Sequence, residues 1–91
     1  MTIEFTKYAW EDFEFWIENN PDILKRIKEI LNLIKANLFK GIGKPEPLKF
    51  GLIGYWSRRI NQEHRLIYKV SGKREPEFKC TIIQCRFHYD D

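Results

Sequence analysis

The chain has 91 residues, 43% hydrophobic and 15% aromatic, which suits one domain over residues 1–91 and leaves little room for a second. Charged residues make up 32% but are mixed in sign, which argues against a disordered chain, and no apolar run is long enough to span a membrane. The net charge of +3 is uneven: residues 1–22 carry six acidic side chains against Lys7, and residues 40–74 carry nine basic ones against Glu46 and Glu63. Such a basic block suits a polyanion partner and, equally, a solvated face.

Residues 1–5 (MTIEF) read as a first strand. Thr6 is a good N-cap, and Ala9, Trp10, Phe13, Trp16 and Ile17 recur with helical spacing. Asn20 and Pro21 end this helix and start another, whose buried stripe is Ile23, Ile27, Ile30, Leu31 and Ile34. The short connection predicts an antiparallel helical hairpin. Its apolar stripes are read as core, not as a docking face, because the second half of the chain supplies a sheet to cover.

Residues 40–49 (KGIGKPEPLK) form a breaker-rich loop. Strands follow at residues 55–60, 65–70 and 79–89, with a turn over 61–64 and a looser one over 71–76. The expected order is β-α-α-β-β-β, an α+β fold with the hairpin on one face of a mostly antiparallel sheet. Cys80 and Cys85, five residues apart on a strand, should point to opposite faces and stay unbridged, as in a reducing cytoplasm. No signal peptide precedes them, and neither has a CxxC partner.

Three places offer chemistry. Glu46 lies between Pro45 and Pro47, which hold it on stiff, extended backbone. Arg58, Arg59 and Arg65 flank a hairpin turn. Arg59 and Arg65 meet across it if the turn holds an odd number of residues or a bulge, and arginine forks bind phosphate. Lys49 adds a point charge, and His88, beside Tyr89, sits at the rim of the last strand. With His64 the only other histidine, and no HExxH or His-Cys spacing, no metal site is expected and no cofactor is called for. A carboxylate base, a histidine acid and several cations suit RNA cleavage by attack of a ribose 2′-OH. Glu46 is the candidate base, His88 the acid, and Arg65, Arg59 and Lys49 the phosphate ligands. Tyr55, Trp56, Phe87 and Tyr89 could stack on bases, and Tyr89 is favoured because it adjoins His88. Taken singly, each of these residues also has a bland surface or core reading.

The blocks KPEPLK (residues 44–49), GYWSRRI (54–60), EHRLIY (63–68) and CRFHY (85–89), with Trp10, Asp12, Phe13 and Trp16 on the first helix, resemble the Txe/YoeB toxins of the RelE superfamily through nearly the whole chain. The resemblance implies a RelE-like fold and the toxin of a type II toxin–antitoxin module. It further implies an mRNA endoribonuclease of the ribosomal A site, with Glu46 as base, His88 as acid, Lys49, Arg59 and Arg65 on the phosphate, and Tyr89 beside the acid. Implied partners are the ribosome and mRNA, a YefM-like antitoxin, and a second copy in a homodimer. DNA would be met only through the antitoxin, and no membrane is implied. The alternatives are a gyrase-inhibiting ParE-like toxin and an RNA-binding module without chemistry. Two features depart from the family pattern: Asp90 and Asp91 follow the His-Tyr pair, and the segment from Ser71 to Phe78 is longer than usual.

Overall fold

The computed structural model describes residues 1–39, 41, 43, 45–48, 54–74 and 77–87. The first strand, β1 (Thr2–Phe5), leads into α1 (Lys7–Asn19), and Thr6 Oγ1 accepts the Ala9 N–H at 3.1 Å as the expected cap. Asn20 does two jobs at once. Its N–H donates to Trp16 O at 3.0 Å, closing α1, while its side chain accepts from Asp22 and Ile23 N–H, opening α2 (Pro21–Ala36).

The sheet has strands β2 (Glu46–Pro47), β3 (Tyr55–Arg59), β4 (Arg65–Ser71) and β5 (Lys79–Gln84) besides β1, in the spatial order β1-β5-β4-β3-β2. All neighbours are antiparallel except β1 and β5, which run parallel. The α+β architecture expected from sequence is therefore present, with one strand more. The breaker-rich loop contributes β2, a two-residue edge strand on which prolines are tolerated because one side needs no donors.

Both helices cover one face. Ala9, Trp16, Ile27, Ile30 and Ile34 pack with Leu66, Tyr68, Cys80 and Ile82 in a single core cluster. Each fully buried isoleucine contributes roughly 1.5–3 kcal/mol. The α2 stripe matches expectation, with Ile23 and Leu31 half-buried at its edge. On α1, however, Trp10 and Ile17 are about half exposed, at 48% and 51%. Trp10 stacks on Phe13 and meets Phe5 edge-on, outside the core proper.

The last strand is shorter than expected. It ends at Gln84, and Tyr68 pairs with Ile82 while Ile67 pairs with Gln84, so Ile83 is an extra residue in the ladder. This bulge also corrects the reading of the cysteines. The inserted residue resets the alternation, so Cys80 and Cys85 both enter the helix-covered core, where they are free thiols. Burial pushes both up to about 12.

Candidate active site

Residues directly opposite in a ladder share a face. Glu46 pairs with Ser57, and Arg59 pairs with Arg65 across a five-residue turn, the odd length that brings the arginines together. Leu66 and Tyr68 face the helices, so Arg65 faces away from them. Glu46, Ser57, Arg59 and Arg65 consequently lie on the helix-free face. With strands about 5 Å apart and two residues rising about 7 Å, they span one corner of the sheet.

Glu46 sits on extended backbone, as its flanking prolines require, and its side chain is exposed. The edge is held by Leu48 N–H donating to Tyr55 O at 2.9 Å and by Arg59 N–H donating to Gly43 O at 2.7 Å. Arg59 is exposed. Arg65 is half-buried and anchored through one nitrogen: Nη1 donates to the carbonyls of Asn61 (2.7 Å), Gln62 (3.3 Å) and His64 (3.1 Å). The guanidinium thus closes its own hairpin turn, a task that charge counting could not foresee.

Arg58 is not part of this face. It alternates inward and is fully buried. Nε donates to Tyr68 Oη at 3.1 Å and Nη2 to Asn37 O at 2.6 Å, while Tyr68 Oη donates to Leu38 O at 2.7 Å. This network ties the end of α2 to the sheet and removes Arg58 from the phosphate-binding candidates.

Lys49, His88, Tyr89, Asp90 and Asp91 lie outside the described residues. The approach to His88 is described, and it is tightly held. Asp12 accepts the Cys85 N–H at 3.1 Å, and Trp16 Nε1 donates to Cys85 O at 2.8 Å. Gln84 Nε2 donates to Arg86 O at 3.1 Å, and the Arg86 guanidinium lies 3.5 Å over the Phe15 ring. Phe87 is gripped from both sides: its N–H donates to His64 Nδ1 at 2.8 Å, and its carbonyl accepts the Arg65 N–H at 3.0 Å. Burial raises the Asp12 carboxyl above its ordinary 3.8, opposed by the Cys85 N–H and Arg86.

Asp12, Trp16 and His64 were not among the site residues expected from sequence. His64 stands in the EHRLIY block next to Arg65, but its weight as a metal ligand was the only role its residue type suggested. Among the described residues no group of three or more His, Cys, Asp or Glu could hold a metal ion, and no helix is long and apolar enough to cross a membrane. Of the aromatics named for stacking, Trp56 packs against the core, whereas Phe87 is 55% exposed beside Arg65.

A two-helix layer on one face of a five-stranded sheet, with charged side chains on the other, is the build of the RelE-like toxins. YafQ of Escherichia coli, in its complex with DinJ, shares this fold alone, with a TM-score of 0.77 at 20% identity. Within that class the assignment is narrower. Residues 5–89 match the YoeB-like toxin of bacterial type II toxin–antitoxin systems, and the chain belongs to that family. It is 48% identical to Toxin YoeB of Synechocystis over 98% of both chains, and 40% identical to Toxin YoeB of Escherichia coli K12 over 98% of this chain and all of that one. A YoeB/ParE toxin from Agrobacterium tumefaciens superposes with a TM-score of 0.89 at 44% identity, covering 98% of this chain and all of the other. A YoeB–YefM heterotetramer from Staphylococcus aureus does so at 0.82 and 42%, covering 98% of each.

Proposed function

We propose that this toxin is a ribosome-dependent mRNA endoribonuclease that stops translation by cutting message in the A site, with residues 1–91 acting as one domain. The observation that carries the reading is the shared helix-free face of Glu46, Arg59 and Arg65, to which the stretch leading into His88 is bound through Phe87. In this reading the Glu46 carboxylate takes the proton of a ribose 2′-OH. The 2′ oxygen attacks the adjacent phosphorus, the bond to the 5′ oxygen breaks, and His88 protonates that leaving oxygen. Histidine suits the acid role because its unperturbed titration lies near neutrality. Arg59, Arg65 and Lys49 stabilise the charge that builds on the phosphate oxygens. The products are a 2′,3′-cyclic phosphate and a 5′-hydroxyl, and the step calls for no cofactor. Tyr89 and exposed Phe87 offer ring faces for splayed bases.

The resemblance and the solved relatives extend this to partners. YoeB of Staphylococcus aureus is known as a dimer and in complex with YefM. By likeness, this toxin pairs with itself and is silenced in the cytoplasm by a YefM-like antitoxin, through which alone it meets operator DNA.

The test is cleavage of message on programmed ribosomes, with 3′ ends mapped and probed for cyclic phosphate. Glu46→Ala and His88→Ala should each lower the rate by about 10²–10⁴-fold while leaving the fold intact. Undiminished cleavage by both folded variants would remove the nuclease assignment.

A further inference from the structure

We infer that His64 is a positioning residue for the cleavage reaction: it clamps the main chain at Phe87 and so fixes where His88 is delivered. This rests on the reading of His88 as the acid, and it assigns work to a buried residue outside the acid–base pair.

The clamp is built from unlike parts. His64 is buried, 7% exposed, in the turn between β3 and β4. Its backbone is set by the turn, since Asn61 Oδ1 accepts the His64 N–H at 2.7 Å and the Ile60 N–H donates to His64 O at 3.0 Å. Its ring is set by α1, with Trp16 edge-on at 4.7 Å between centroids. Nδ1 accepts the Phe87 N–H, so that nitrogen carries a lone pair and Nε2 the hydrogen, toward Glu63 Oε1 at 3.5 Å.

What the clamp holds is not a relaxed chain. Phe87 has φ +68, a left-handed conformation that is strained for any residue but glycine. Such a conformation persists where its surroundings over-determine it. Here the surroundings are His64 on the amide and the Arg65 N–H on the carbonyl. Phe87 is the residue bonded to the proposed acid, so the clamp acts one peptide unit before it. Proton transfer to a leaving oxygen demands a well-placed acid, because a small misplacement costs rate directly. The same turn holds Arg65 through three carbonyls, so one five-residue turn fixes both Arg65 and, through His64, the Phe87 amide.

The test uses two substitutions in the whole toxin. His64→Phe keeps a ring against Trp16 and removes the acceptor. His64→Asn restores an acceptor oxygen near the Nδ1 position. Phe87 amide exchange is followed by NMR, and kcat and KM are measured on programmed ribosomes. Losing one such hydrogen bond in His64→Phe should speed Phe87 exchange by about tenfold. We expect kcat to fall with KM unchanged, and His64→Asn to return both readouts toward wild type. Native-like exchange in His64→Phe, beside an inactive His88→Ala, overturns the clamp while leaving the nuclease reading intact. Equal loss in both His64 variants reduces the residue to packing and also overturns it. Wild-type cleavage by His88→Ala removes the acid itself, and with it the catalytic half of the inference, whatever the amide does.

Discussion

Arg58 and Arg59 are neighbours of one type with opposite fates. Arg58 is sealed among Tyr68 and the carbonyl of Asn37, and Arg59 stands on the exposed face. Strand alternation decides between them, and composition is blind to it. Asp12 shows the same dependence on setting. Its carboxyl is raised above 3.8 chiefly by burial, so the folded state binds its proton more tightly than the unfolded state does. The sign follows: this group's contribution is most favourable below the unfolded value and declines as pH rises through the raised folded one. Asp12→Asn cannot ionise yet keeps an oxygen for the Cys85 N–H. Urea unfolding across a pH series should therefore show wild type losing ground to Asp12→Asn as pH climbs from 3.8 toward neutrality. Drift the other way would mean that the Cys85 N–H and Arg86 outweigh burial.

At the scale of elements, the edge carrying Glu46 depends on a glycine. Gly43 has φ +88, and a Cβ there would come within 2.9 Å of Arg59 O and 3.2 Å of Arg59 N. Arg59 is also the residue whose N–H donates to Gly43 O, at 2.7 Å. Gly43→Ala should cost more than about 1 kcal/mol, seen as a lower melting temperature, and should slow cleavage by moving β2 away from β3. A variant that melts and cuts like wild type would show that this edge does not position the base. Much of this level was legible beforehand. The α2 stripe, both caps and the extended Glu46 follow from local periodicity, capping chemistry and proline sterics, whereas Trp10 and Ile17 of the α1 stripe stay half exposed. What escaped the sequence is non-local: the bulge at Ile83 that brings Cys80 and Cys85 to one face, the early end of β5, and β2 itself, two residues long and defined only by its partner. The clamp escaped for the same reason, since Asp12, Trp16 and His64 meet Cys85 and Phe87 across separations from 23 to 73 residues.

Across the whole molecule, the acidic first quarter builds β1 and α1 at one side of the sheet, and the basic middle builds β2 to β4 at the other. The charge asymmetry read along the chain thus becomes an asymmetry in space. A polyanion the size of a ribosome would meet the β2 to β4 side first. Binding to ribosomes should weaken steadily with added salt, as phosphate contacts do, in a titration followed by co-sedimentation. Affinity indifferent to salt would place the contact elsewhere.

The parallel pairing of β1 with β5 has a consequence in the order of synthesis. β1 is made well before β5, so Ile3 waits for Cys80 while everything between them is translated. Closing so long a loop comes late in folding because its entropy must be spent before any contact rewards it. A nascent chain that has just cleared β4 already owns Glu46, Arg59 and Arg65 but has no Cys85 or Phe87 for Asp12, Trp16 and His64 to hold. The contacts that hold Cys85 and Phe87 in place therefore form only when β5 has been made.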